Sequence, residues 1–395
     1  MAVDTRFVVD QFKLCNRFAS LGVTKPENDL LPVSYKRVQT NFLKQNRKEN
    51  FACQYGDVNK SYVFPESLQV LASSYFKCTL PENASANYRL IPGLWVISKV
   101  YLRCNGDLVY SVDYQTLMND HLASLKDEDA RAYAAAHLGY VPGASSGNAR
   151  TCWLPLPLPN SSIWKYGGRG QGALPFTSFR NNKLEISFDF FENTGTTSDR
   201  TNPSPAMTGT QIVHKEIIAP LSQMPVLRDA RGKYSLVSRR FTQIQDWTDG
   251  AAGVEQDIVV SNLSGCITEI IVEAYPHNAN IDTLNILGPV LPSSVKLVAD
   301  SIECINHESE DEVRLIEYSH GYRRNDFYTG CTYRLVFGSH GAESDRAFQG
   351  AMNFSGVTQA NLKITFPERV QFKITAVQLG ITSITSSGRL VQKLD

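Results

Sequence analysis

Net charge is what this chain lacks first: 39 Lys and Arg balance 39 Asp and Glu over 395 residues. A protein that wraps nucleic acid directly carries a basic arm or stripe. Residues 1–50 hold nine basic against five acidic residues, a mild excess and no polybasic arm. Direct genome packaging and sequence-specific nucleic-acid binding are therefore not expected. No apolar run approaches the ~20 residues needed to span a bilayer, and Asp4, Arg6 and Asp10 interrupt any apolar stretch near the start. A secretory leader is not expected. The eight cysteines include no C-x-x-C pair, which leaves them to read as buried free thiols. In a protein made and kept inside a cell, the sequons at Asn59, Asn83, Asn160, Asn262 and Asn353 go unused by secretory glycosylation.

Strand formers with abundant Gly and Pro fill most of the remainder, which points to an all-β chain of about two domains. Near the C-terminus Ala360, Leu362, Ile364 and Phe366 alternate with Asn361, Lys363 and Thr365. After a turn at Pro367-Glu368-Arg369, Val370, Phe372, Ile374 and Ala376 alternate with Gln371, Lys373 and Thr375. The period of two predicts half-buried strands, polar side outward. Asn105-Gly106-Asp107 predicts a tight hairpin, because both central positions tolerate positive φ. The one sustained helical signal runs from Tyr114 to Leu138, with Leu117, His121 and Leu125 on one face and Gly139 as its stop. Val8, Phe12 and Cys15 fall on one stripe of a short N-terminal amphipathic helix. Residues 193–210 read as a polar surface loop. A second strand series includes Tyr234–Gln245, Ile267–Ala274, Val313–Glu317 and Tyr333–Phe337.

Motifs that carry chemistry fail on context. Gly143-Ala144-Ser145-Ser146-Gly147 matches G-x-S-x-G, but a nucleophile elbow needs a strand before it and a helix after it. Gly168-Arg169-Gly170-Gln171-Gly172-Ala173 lacks the following helix that would receive a phosphate. Cys304-x-x-His307 is a lone half-site, and His121 and His137 are too far apart to ligate together on one helical face. Asp120 and Asp127 read as solvated, and the run Glu308–Glu312 as a solvated loop. Arg239-Arg240 and Arg323-Arg324 read as surface pairs or inter-subunit ion pairs. No catalytic residue, metal site or cofactor is expected, and the protein is not expected to be an enzyme.

Several segments together resemble the double jelly-roll major capsid proteins of the nucleocytoplasmic large DNA virus, virophage and polinton-like virus lineage. Gly350-Ala351-Met352-Asn353-Phe354-Ser355-Gly356-Val357 is similar to that family's G-x-x-N-F-S-R-I, with Gly356 where the family has Arg. The hairpin around Asn105 and Gly106, the stretch Leu154-Pro155-Leu156-Pro157, the pair Leu174-Pro175, and Tyr35-Lys36-Arg37-Val38-Gln39-Thr40-Asn41-Phe42 match further family landmarks. The resemblance implies two consecutive eight-stranded jelly-roll β-sandwiches with a short helical insertion in the first. It divides the chain into an arm (1–33), a first jelly roll (34–221), a linker (222–233), a second jelly roll (234–385) and a tail (386–395). It implies a homotrimer that mimics a hexagon and tiles a virion shell. The partners would be neighbouring capsomers, penton and minor capsid proteins, and an inner membrane or protein layer met by the arm. Val8, Phe12, Cys15, Leu117, Leu125 and Tyr133 are the candidate assembly contacts. The alternative is a two-domain β-sandwich that binds carbohydrate or a receptor, with Trp164-Lys165-Tyr166 stacking on a sugar.

Overall fold

A computed structural model of the chain describes residues 43–123, 125, 127–141, 147–164, 173–179, 182–197, 202–218, 234–277, 290–309, 311–313, 332–337 and 351–394. The first half supplies β1 (Leu43–Asn50), β2 (Lys60–Val63), β3 (Val70–Leu80), β4 (Ile97–Cys104) and β5 (Asp107–Asp113). Two helices follow, α1 (Tyr114–Ala123) and α2 (Asp127–His137). Then come β6 (Arg150–Pro155), β7 (Leu174–Pro175), β8 (Leu184–Phe190) and β9 (Thr208–Ile218). The second half supplies β10 (Ser235–Gly250), β11 (Gln256–Val259), β12 (Cys266–Pro276), β13 (Ser294–Ala299) and β14 (Ile302–His307). It continues with β15 (Thr332–Val336), β16 (Met352–Asn353), β17 (Ala360–Thr365), β18 (Val370–Ile384) and β19 (Leu390–Leu394).

The sheets run β1-β9-β3-β6 and β2-β8-β4-β5 in the first half, and β10-β18-β12-β15 and β11-β17-β13-β14 in the second. Short β7 and β16 pair at the sides of β3 and β12. Setting these and β19 aside, the eight strands of each half, counted in chain order, stand 1-8-3-6 against 2-7-4-5. That is the jelly-roll permutation, and it occurs twice.

Alternation builds each sandwich. Phe76, Cys78 and Leu80 of β3 and Ile186 and Phe188 of β8 point into the first core. Leu362, Ile364, Phe372 and Ile374 point into the second. Full burial of each such side chain contributes roughly 1.5–3 kcal/mol. In the first core Phe51, Phe76 and Phe188 meet edge-on or tilted at 5.6–6.2 Å between ring centres, the arrangement that ring quadrupoles favour.

Asn105 (φ 55°) and Gly106 (φ 86°) make the expected tight turn, pairing Cys104 with Asp107. The helical signal resolves into two helices, and Gly139 (φ 71°) ends the second. Four expectations need correction. Residues 386–395 are not a tail, because β19 pairs with the end of β18. Val313 lies in a helical turn rather than a strand, and residues 314–317 of that expected strand lie outside the described residues. Leu117 is spent in the chain's own core, whereas Leu125 and Tyr133 are only partly buried against it and remain candidate assembly contacts. Part of 193–210 is tucked in, since Thr196, Thr197, Ser204 and Met207 are buried and Arg89 N–H bonds the Thr196 carbonyl at 3.0 Å, whereas Pro203, Ala206, Thr208 and Gly209 lie at the surface as expected. The arm, including Val8, Phe12 and Cys15, lies outside the described residues, as do Gly350, Ser145, Arg323 and Arg324.

Candidate functional site

The two sandwiches meet across a buried charged seam. It exists because the β10-β18-β12-β15 sheet is covered on both faces. On β18, Phe372, Ile374 and Ala376 face the second core. Lys373, Thr375 and Val377 take the opposite parity and are buried as well. Their cross-strand neighbours follow suit: Glu273 stands opposite Lys373, Ile271 opposite Thr375, and Glu269 and Phe241 opposite Val377. Arg334 of β15 stands opposite Ile271. Phe241, Ile271 and Val377 belong to the first half's core, which thus reaches across the boundary.

Helix α1 lies against this outer face. Asp120, 1% exposed, receives Arg239 Nη1 at 2.8 Å on Oδ2 and Arg334 Nη1 on Oδ1. Glu269 pairs with Arg239 Nη2, and with Arg334 Nη1 at 3.5 Å. One turn earlier, Lys373 Nζ donates to Asp113 at 2.7 Å and to Thr116 Oγ1 at 3.0 Å. Thr116 Oγ1 in turn donates to Glu273 Oε2 at 2.8 Å, and Asn119 Nδ2 donates to Oε1 at 3.0 Å. Four carboxylates face three cations. Burial pushes the Glu273 carboxyl above its ordinary value, Lys373 pulls it back, and Asp113 pushes it further up. Burial opposes the charge on Lys373, but Glu273 and Asp113 outweigh it and hold the ammonium above its ordinary value.

By sequence pattern Asp120 reads as a solvated acid and Arg239 as a surface or inter-subunit base. Both are buried in an ion pair within one chain, because α1 and β10 are pressed together. A second clasp lies at the far end of the β18–β19 hairpin. Arg389 meets Asp107 at 2.7 Å, Leu390 is buried with its N–H on Cys104 Sγ, and Asn182 Nδ2 donates to the Ser387 carbonyl at 3.0 Å.

The first half holds a separate buried relay. Tyr62 O–H donates to Glu49 Oε2 at 2.8 Å, so the contact of 2.7 Å between Tyr62 and His214 Nε2 requires that nitrogen to carry the proton. Ser74 Oγ then donates to His214 Nδ1 at 2.8 Å. Serine, histidine and a carboxylate lie in line, yet His214 is wholly buried. No substrate reaches it, and desolvation pushes its pKa down to about 4.

The family-motif positions do structural work. Tyr114 donates to the Pro155 carbonyl at 3.1 Å, and Tyr110 donates to that of Pro157. Leu154 and Leu156 are buried, and Leu174-Pro175 pairs with Val70-Leu71. Asn353 Oδ1 accepts Ser355 N–H at 2.9 Å and caps a short 3-10 turn. Ser355 Oγ accepts Gly265 N–H at 2.8 Å, and Phe354 is buried beside Phe337. A side chain at Gly356 would meet open space.

Other candidates lose their chemistry. Trp164 is 2% exposed, edge-on to Tyr110 and bonded to the Leu158 carbonyl at 2.7 Å. It offers no platform to a sugar, and Lys165 and Tyr166 lie outside the described residues. Cys304 and His307 take opposite parities on β14. No group of side chains able to hold a metal occurs among the described residues. Cys78, Cys104 and Cys152 are buried free thiols, whereas Cys304 is exposed. Asn83 and Asn160 are buried, out of reach of modification.

No protein-family model matches the sequence, and no curated protein matches it. Solved structures do. The chain is similar to the capsid protein of the PBCV-1 virus (TM-score 0.71, 11% identity, 89% of this chain and 96% of that one). It is similar to the Faustovirus major capsid protein (TM-score 0.60, 10% identity, 87% and 91%). It is also similar to the mavirus major capsid protein (TM-score 0.54, 10% identity, 90% and 90%). At such identities the likeness is one of fold, and the fold is the double jelly roll.

Proposed function

We propose that this double jelly roll is the shell-forming capsid protein of an icosahedral DNA virus or virophage, working as a homotrimer within the virion. The observation that carries this reading is the doubled 1-8-3-6/2-7-4-5 permutation, with its halves fixed to one another by buried ion pairs. Three such chains place six similar sandwiches around an axis, so a threefold assembly imitates a hexagon and tiles a flat facet. A tile needs its pillars at one angle. Apolar surfaces alone would tolerate sliding; charged side chains that must each find a partner do not.

The protein then acts by assembly, without catalysis of its own. Its partners are neighbouring capsomers, penton and minor capsid proteins, and an inner membrane or protein layer engaged by the arm. The proposed units are the arm 1–33, a first jelly roll 34–221, a linker 222–233 and a second jelly roll from 234 that takes in β19. Obligate contacts of this kind bury roughly 2,000–5,000 Å².

Light scattering with negative-stain electron microscopy of the purified protein tests the reading. The expected result is a trimer with a pseudo-hexagonal outline. Monomers retained on a glycan column would overturn it in favour of a carbohydrate-binding module.

A further inference from the structure

The seam within the chain has a counterpart that a single chain engages more lightly. Its acidic side is the segment that follows the fifth strand of the first sandwich, where Asp113 and Asp120 project from the end of β5 and from α1. Its basic side is the outer face of the second sandwich's 1-8-3-6 sheet, with Arg239, Arg334 and Lys373. The same two places exist once more in the chain, where His137 of α2 stacks on Tyr75 at 5.6 Å and Glu308 lies 3.8 Å from Lys296, but no ion pair joins one place to the other among the described residues.

The equivalent basic side is the outer face of β1-β9-β3-β6. Register fixes its members: Lys48 lies opposite Val213, Val213 opposite Tyr75, Lys77 opposite Trp153, and Lys215 opposite Ser73. Among the residues of that face whose side chains are described, Lys48, Lys77 and Lys215 are the charged ones and no carboxylate joins them, and Lys44 shares their parity on β1. Glu49 and Glu216 turn to the other side, to Tyr62 and to the Gln69 N–H. Lys48 and Lys215 are exposed. Lys215 lies 5.1 Å from the Tyr75 ring centre and Lys77 lies 5.1 Å from that of Trp153.

The equivalent acidic side is the segment after the second sandwich's fifth strand, β14. It carries Glu308, Asp311 and Glu312, all exposed. Acid stands where the first half has Asp113 and Asp120, and base stands where the second half has its cations.

We infer that Glu308, Asp311 and Glu312 of one copy dock onto Lys48, Lys77 and Lys215 of the next copy, repeating between chains the contact made within each. A head-to-tail contact of this kind closes into a ring when the rotation allows. Three chains then give six junctions, alternately internal and external. Complementary charge favours this register and repels the wrong one. The inference rests on the capsid-tile reading and names the surface by which the tile closes.

The test is charge reversal in the full chain, followed by light scattering. Lys77→Glu with Lys215→Glu should weaken trimers at least about tenfold, and Asp311→Lys with Glu312→Lys should do the same. All four changes in one chain should restore the trimer. Lys48→Glu, on an exposed edge strand, gives a second single-site probe, and thermal melts check that each variant is folded. Reversed variants that trimerise as the parent does would overturn the inference and leave the tile reading standing. So would variants that keep the trimer and lose only binding to a polyanion such as heparin. A parent protein that forms no trimer at all would overturn the tile reading itself.

Discussion

Asp120 and Arg239 stand 119 residues apart in the chain and meet at 2.8 Å, one from each sandwich. Removing one member of such a buried group leaves the other charge without compensation. Asp120→Asn should therefore cost ~3–5 kcal/mol in urea unfolding, because Arg239 and Arg334 would each lose a buried carboxylate. Arg369→Gln is the control. Its partner Asp249 lies 3.0 Å away and both are well exposed, so the urea midpoint should stay close to the parent's.

His214 makes the first sandwich sensitive to acid. Its pKa in the folded chain is about 4, below its ordinary 6.5, so between these values the unfolded chain binds more protons than the folded one. The stability linked to His214 is complete above pH 6.5 and falls away as pH drops toward 4, by roughly 3 kcal/mol. His214→Gln should flatten the melting temperature across that window. A mutant whose pH profile matches the parent would remove His214 as the cause.

The C-terminal hairpin should prove essential to the junction between sandwiches. Leu390→Ala deletes a side chain that is 2% exposed and should destabilise by ~2–4 kcal/mol. Deleting residues 386–395 should also expose the β4–β5 hairpin, read as faster proteolysis near Asn105. Cleavage at the parent's rate would show that β19 is dispensable.

Two glycines should answer oppositely to substitution. A Cβ at Gly93 would lie 2.8 Å from the backbone of Leu138, so Gly93→Ala must shift α2 or the turn beneath it and should cost ~1–3 kcal/mol. At Gly356 nothing lies within 4 Å. Gly356→Arg, which restores the residue of the resembling family, should change stability by less than ~0.5 kcal/mol. Thermal melts of the pair decide both.

The arm yields a prediction about assembly. Deleting residues 1–20 should leave trimers intact and impair attachment to an inner layer, read by light scattering and by co-sedimentation with shells. Monomers from that deletion would place the arm inside the trimer.

Much of the fold was legible because period-two alternation is a local property. Phe372, Ile374, Leu362 and Ile364 declared their shared core, and Asn105-Gly106 declared its turn. Period reports which residues share a face, however, and not what covers that face. Lys373 and Thr375 therefore looked outward although the first sandwich lies over them. A signal was present: Ile271 and Val377 fall on the parity of Glu269, Glu273 and Lys373, and apolar residues among charged ones mark a second buried face. Asp120 carried no such mark, since a helical aspartate looks alike in water and in an ion pair. β1 escaped because Lys44, Gln45, Asn46, Arg47 and Lys48 show no alternation. At the edge of its sheet, it takes its place from pairing with β9 rather than from an apolar face.

The sheet covered on both faces also ties together stretches that lie far apart in the gene. A charge altered in α1 must be answered in β10 or β15, more than a hundred codons downstream. Such a chain changes by matched pairs, and neither barrel can be traded for a relative's unless the opposing surface travels with it.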